Sequence, residues 1–94
     1  MTRYTVHYAG RVQGVGFRYS AVSAAAPFTL AGYVQNLPDG RVRLVVEGEP
    51  DQLDGCLEAL NEAMAPHIQS RHVEKQPATG EFGKPTRGGL TVRY

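Results

Sequence analysis

Hydrophobic and polar residues alternate from Arg3 to Ala9, with Tyr4, Val6 and Tyr8 on one side and Arg3, Thr5 and His7 on the other. A period of two is that of a strand with one buried face. From Phe17 the period lengthens: Phe17, Ala21, Ala24 and Phe28 fall at i, i+4, i+7 and i+11 and share one side of a helix. Pro27 ends that helix near Ala25, because the residue before a proline is pushed out of the α region. Leu30 to Leu37 and Arg41 to Glu47 read as two further strands, the second with Val42, Leu44 and Val46 facing inward. The "NLPDG" segment between them has the composition of a tight hairpin turn, in which Gly40 can supply a positive φ. A second helix opens at Pro50, whose fixed φ suits a first turn and whose missing N–H is not needed there. Asp51 and Asp54 complement its positive start, Leu53, Leu57, Leu60 and Met64 form its stripe, and Pro66 stops it. Ser70 to Gln76 is a weaker strand candidate, and Leu90 to Tyr94 alternates again. The Pro-, Gly- and Thr-rich run from Gln76 to Gly89 is too long for a turn and is expected to be mobile.

Strand, helix, strand, hairpin strand, helix, strand predicts an α+β fold. Its form is the ferredoxin-like split β-α-β sandwich, an antiparallel sheet of four to five strands with two helices on one face. Ninety-four residues suffice for a single domain, 1–94, with one modest core. Ten basic residues against nine acidic ones leave a formal charge of +1, which speaks against a nucleic-acid-binding face. No apolar run approaches the roughly 18 residues of a membrane span. "MTRYTVHYAG" lacks the apolar stretch of a secretory signal, so the expected compartment is the cytoplasm. The lone Cys56 sits among helix-spaced apolar residues and reads as core.

Candidate chemistry concentrates in "GRVQGVGFRYS", Gly10 to Ser20, between the first strand and the first helix. Glycines at 14 and 16 let several backbone N–H groups converge beside the positive end of a helix, which is a natural anion site. Arg18 adds a planar guanidinium that can hold two phosphate oxygens at once. The same residues are compatible with a plain tight turn followed by a solvated arginine. Two other glycine motifs are excluded: Gly16 is followed by Phe17 and Arg18 rather than Lys-Ser/Thr, and Tyr19 stands where the dinucleotide fingerprint needs a third glycine. His7 is expected on the solvent side of the first strand, and His67 and His72 lack clustered partners for a metal. Glu47, Glu49, Asp51 and Asp54 read as a solvated face and helix start.

"GRVQGVGFRY", followed by "AGYVQNLPDGRV", resembles the acylphosphatase family, whose members carry a G-x-V-Q-G-V-x-F-R segment and a later G-[WY]-V-x-N segment. The likeness extends more loosely to the closing "LTVRY". It implies hydrolysis of acyl phosphates to a carboxylate and inorganic phosphate. Backbone amides of Gln13, Gly14, Val15, Gly16 and Phe17, with Arg18, would bind the phosphate, and Asn36 would position the attacking water. It implies no metal and no cofactor, and a small-molecule acyl phosphate as substrate; no nucleic acid or membrane partner is expected, and a chain this short is expected to be a monomer. In some relatives the terminal carboxylate lies near the matching arginine, which draws attention to Tyr94. "SAVSAAAPFT" and "ATGEFGKPTRGG" depart from the family pattern outside both motifs. Two other functions share this fold. An RNA-binding module would need aromatics on a central strand, absent from "RVRLVVEGE", and an anion-sensing domain would have no use for Asn36.

Overall fold

The computed structural model describes residues 1–94. Strand β1 spans Thr2–Gly10, helix α1 Phe17–Ala25, β2 Thr29–Asn36, β3 Val42–Gly48 and helix α2 Pro50–Met64. A short 3-10 turn, Ala65–His67, then leads into β4, Ile68–Pro77, followed by a two-residue β5, Thr86–Arg87, and β6, Leu90–Arg93. The strands lie in the order β4-β1-β3-β2-β5, with β6 also beside β2. The first segment of the chain is thus central, antiparallel to β3 on one side and β4 on the other. β4, the outer edge opposite, carries Arg71, His72, Glu74 and Lys75, all exposed, which discourages pairing with other chains.

The ferredoxin-like class expected from the element order is the one observed. The sheet has six strands where four to five antiparallel ones were expected. Thr86–Arg87 adds a brief ladder to Thr29–Leu30, and β6 runs parallel to β2, pairing Gly32 with Leu90 through Gln35 with Arg93. The place of β6 follows from the chain crossing the sheet between β4 and β5, a path that alternation alone does not reveal.

One face of the sheet is covered by both helices. Tyr4, Val6 and Tyr8 of β1, Leu30 and Val34 of β2 and Val42, Leu44 and Val46 of β3 meet Phe17, Ala21 and Ala25 of α1 and Leu53, Cys56, Leu57, Leu60 and Met64 of α2. α1 ends at Ala25, two residues before Pro27, as the backbone restriction demands. Burial pushes the Cys56 thiol up to about 11, in keeping with a core role. α2 approaches Phe28 so closely at Gly55 that a Cβ there would lie 2.4 Å from the ring.

The opposite face is not bare, and here two expectations fail. Glu47 is 2% exposed rather than solvated, and the Gln76 to Gly89 run is bonded to the sheet at Ala78, Thr79 and Gly80 and again at Thr86 to Gly89 rather than standing clear of it. The Glu47 carboxylate accepts from Arg3 Nε at 2.8 Å, from the Thr79 N–H at 2.8 Å and hydroxyl at 2.9 Å, and from the Gly80 N–H at 2.9 Å. Arg3 also pairs with Glu81 and lies over the Phe82 ring, whose edge meets Tyr33. A polar residue on the alternate face looks solvated in the sequence because its cover comes from a segment more than thirty positions further along.

Burial alone would raise the Glu47 carboxyl, but the two N–H groups, Arg3 and the Thr79 hydroxyl together hold it at about 2. Its folded value lies below the ordinary 4.5, so the folded state binds fewer protons than the unfolded one. The stability this group contributes is full above about pH 4.5 and drains away as pH falls towards about 2. Glu47→Gln should therefore cost about 2–3 kcal/mol at neutral pH. Its unfolding free energy, measured by denaturant titration at several pH values, should converge on that of the wild type at the acid end.

Candidate active site

β1 ends in a bulge between Ala9 and Gly10, after which the Arg11 N–H donates to the His67 carbonyl at 2.9 Å and the chain leaves the sheet. Gly14 and Gly16 then adopt φ of 76° and 77°, a left-handed backbone that residues with a Cβ avoid. Gly16 caps α1 without any side-chain hydrogen bond, and the first bonded amide of the helix is that of Ser20, 3.0 Å from the Gly16 carbonyl. From Val12 to Tyr19 no main-chain N–H donates to another backbone carbonyl. The first turn of α1 contains no acidic residue but does contain Arg18, so a cation stands at the positive end of the helix dipole.

Two apolar anchors fix this loop from beneath. Val12 is fully buried, and Phe17, 2% exposed, tilts against the Tyr8 ring with centroids 4.9 Å apart. A polar brace holds it from the side: Gln13 Nε2 donates to the carbonyls of Leu37, at 2.8 Å, and Arg41, at 2.9 Å. Those two residues close the β2–β3 hairpin, where the Leu37 N–H donates to the Arg41 carbonyl at 2.8 Å. Because β2 alternates, Asn36 shares the helix-side face with Leu30 and Val34 and sits at the strand end nearest the loop. Its Oδ1 is buried without a hydrogen-bond partner.

Val12, Gly14, Gly16, Phe17, Arg18, Tyr19 and Asn36 surround one hollow of about 140 Å³. Of the residues singled out from sequence, Gly14, Gly16, Phe17, Arg18 and Asn36 line it, while the side chains of Gln13 and Val15 turn away, to the hairpin and the core respectively. Val12 and Tyr19 belong to the lining without having been marked. Tyr19 directly follows Arg18, and the role of Gln13 as a brace depends on a hairpin more than twenty residues distant. Tyr94 meets Arg18 through its ring, with the guanidinium 5.0 Å from the centroid. None of His7, His67 and His72 lines the hollow. His7 is half-buried on the far sheet face, its pKa lowered by burial and then by Arg41 and Arg43. No group of three or more histidine, cysteine or carboxylate side chains is placed to hold a metal ion.

A larger hollow, about 420 Å³, lies between α2 and β4. Its carboxylates, Asp54 and Glu58, face its cations, Arg71 and Lys75, and Asp54 already accepts from the Tyr4 hydroxyl at 2.7 Å. Acidic and basic side chains are thus balanced there, whereas the smaller hollow is lined by Arg18 and Asn36 and by no carboxylate. Size here is a poorer guide to chemistry than the balance of donors and acceptors.

Fold and hollow together define a small ferredoxin-like domain with a donor-rich cradle where its first helix begins. Residues 4–85 match the acylphosphatase family. Over 83 residues the chain is 42% identical to an acylphosphatase of Methylococcus capsulatus, a match spanning 87% of this chain and 90% of that protein. Its fold aligns with the crystal structure of an acylphosphatase from Bacillus subtilis with a TM-score of 0.82 at 29% identity, over the whole of both chains. An acylphosphatase structure from Coxiella burnetii aligns with a TM-score of 0.76 at 30% identity, over 98% of this chain and 92% of that one. The chain belongs to the acylphosphatase family and is a hydrolase acting on acyl phosphates.

Gln13→Ala removes two hydrogen bonds between loop and hairpin and should destabilise the fold by about 1–2 kcal/mol. Gln13→Glu should cost more, because a carboxylate can only accept and would face two carbonyl oxygens. Urea unfolding midpoints at unchanged m-value would measure both.

Proposed function

We propose that the amides of Gln13 to Phe17 and the Arg18 guanidinium hold the phosphoryl group of an acyl phosphate while Asn36 aims the attacking water. The observation that carries this reading is a run of N–H groups without backbone partners from Val12 to Tyr19, in a segment that lines one hollow together with Arg18 and Asn36, whose buried amide oxygen has no partner. Uncapped helix end and first-turn arginine repel each other, and a bound dianion would relieve both. About 140 Å³ accommodates a phosphoryl group together with a water, whose share of liquid volume is about 30 Å³.

The chemistry asks little more of the protein. A water oxygen attacks phosphorus as the bond from phosphorus to the acyl oxygen breaks, and the electron pair leaves with the carboxylate. One water proton moves to a phosphoryl oxygen and the other stays on the attacking oxygen, so the products are a carboxylate and dihydrogen phosphate. Because the leaving group is a carboxylate, no general acid is required. Donors fixed in place before the reaction neutralise the equatorial oxygens without reorganising. Asn36 Oδ1 accepts from the water and turns its lone pair towards phosphorus, which is an orientation effect. In this reading the chain acts as a monomer in the cytoplasm on a small molecule, without nucleic acid, metal or cofactor.

Asn36→Ala should lower kcat about 10²–10³-fold, the usual loss on removing one oriented group, and leave inhibition by inorganic phosphate nearly unchanged. Arg18→Ala should weaken both turnover and phosphate inhibition. Steady-state hydrolysis of acetyl phosphate measures these effects, and a purified protein that hydrolyses it no faster than buffer does would overturn the proposal.

A further inference from the structure

The largest hollow, of about 420 Å³, lies between α2 and β4 and shares no residue with the phosphate cradle. Its two walls carry opposite charge. Asp54 and Glu58 stand one helical turn apart on α2, and Arg71 and Lys75 stand on either side of Val73 on β4. Tyr4, Leu57 and Val73 supply the apolar part of the lining, and Asn61 continues the helix wall.

These charges do little for the fold. Arg71, Val73 and Lys75 lie opposite Tyr8, Val6 and Tyr4 of β1, and residues paired across strands share a face, so both cations occupy the side of the sheet that is otherwise apolar. Inward-pointing charge on an edge strand protects it from pairing with other chains, which accounts for the cations. It does not account for the acids. Asp54 and Glu58 are four apart on one helix face, where like charges repel. Nor do the two walls neutralise each other, since none of the four side chains belongs to an ion pair. Asp54 accepts from the Tyr4 hydroxyl at 2.7 Å, and Lys75 Nζ lies 5.0 Å from the centroid of the same ring. One buried tyrosine thereby engages a carboxylate through its hydroxyl and an ammonium through its face without letting the two meet.

We infer that this hollow is a second binding site, which takes a short peptide-like zwitterion with its ammonium against Asp54 and Glu58 and its carboxylate against Arg71 and Lys75. The volume falls in the range of small-ligand pockets, roughly 300–1,000 Å³. A free α-amino acid carries both charges on one carbon and cannot address two walls, whereas an extended dipeptide separates them by roughly 7 Å. The Arg71 guanidinium can meet both oxygens of a carboxylate at once. Asn61 offers the peptide group an amide that both donates and accepts, and Leu57 and Val73 receive an apolar side chain. A ligand with one charge satisfies one wall and leaves the other facing its uncharged end, so both termini are read.

Titration of the isotope-labelled protein with the dipeptide alanyl-leucine, followed by amide resonances, tests this. Shifts should saturate at millimolar ligand or below and be confined to residues 54–61 and 71–75. Acetylating the amino end or amidating the carboxyl end should each raise Kd about tenfold, the loss expected on removing one charge-assisted contact. Glu58→Gln and Lys75→Gln, both at exposed positions, should each weaken the free dipeptide to a similar degree, with circular dichroism showing the fold unchanged. In Glu58→Gln the acetyl group should then cost less than in the wild type, and in Lys75→Gln the amide should, because each pair of changes removes the same contact. Absence of a saturable shift, shifts centred on Gly14 to Tyr19, or blocked dipeptides binding as tightly as the free one would each overturn the inference. An affinity unchanged in both variants overturns it as well.

Discussion

The chain has to leave a buried central strand and enter a helix while keeping a row of amide hydrogens away from every carbonyl around them. Backbone donors are ordinarily paired, and a run left open is tolerated only at the surface or beside a ligand. Two left-handed glycines allow the bend, but glycine also loosens the chain, so the surroundings have to supply the stiffness. Phe17 and Val12 supply it from the core, and Gln13 supplies it from the hairpin. The loop is accordingly held from the core by two apolar side chains that also form part of the hollow's wall, and from outside it by Gln13, which turns to the hairpin. The position of Asn36 follows from the same device, because the hairpin that Gln13 grips is the one whose first strand ends at Asn36.

The two faces of the sheet solve different problems. On the helix side the core is almost entirely apolar, and hydrophobic burial supplies the driving force. On the other side a buried carboxylate organises a long connection that has little apolar surface of its own. A charge taken out of water is costly unless its lone pairs are met, and Glu47 meets two amides, a hydroxyl and a guanidinium. That connection carries the chain across to the edge where β6 joins β2, and so indirectly brings Val92 and Tyr94 to the rim of the site.

Legibility in the sequence tracked how local each feature is. Strands β1, β2 and β3 and both helices are readable from period and proline position, because each presents an apolar face to the core and is bounded by its own turn residues, although β2 and β3 are buried on their other face as well. Gly14, Gly16, Phe17 and Arg18, which line the smaller hollow, stand out because they fall in one short run of sequence, whereas Asn36 is singled out only by the motif resemblance. What stayed hidden depended on distant partners. Glu47 looks like any alternate-face acid until Thr79 and Gly80 arrive, Gln13 looks like a loop residue until the hairpin is in place, and "LTVRY" does not announce that its strand runs parallel. The balance between an anion cradle and an ordinary turn was settled towards a family by motif resemblance, whereas the unpaired amides could be seen only in three dimensions.

The place of β1 between β3 and β4 has a bearing on how the protein forms. Its neighbours are separated from it by some forty and seventy positions, so the centre of the sheet closes only after most of the chain has been made. Such distant pairing slows folding, because the entropy of closing long loops is lost before the non-local contacts form. During synthesis the amino-terminal segment must remain unzipped until β3, and then β4, emerges from the ribosome. Its alternating tyrosines and valine are meanwhile open to solvent, and exposed apolar surface on an unpaired strand is what favours aggregation before folding is complete.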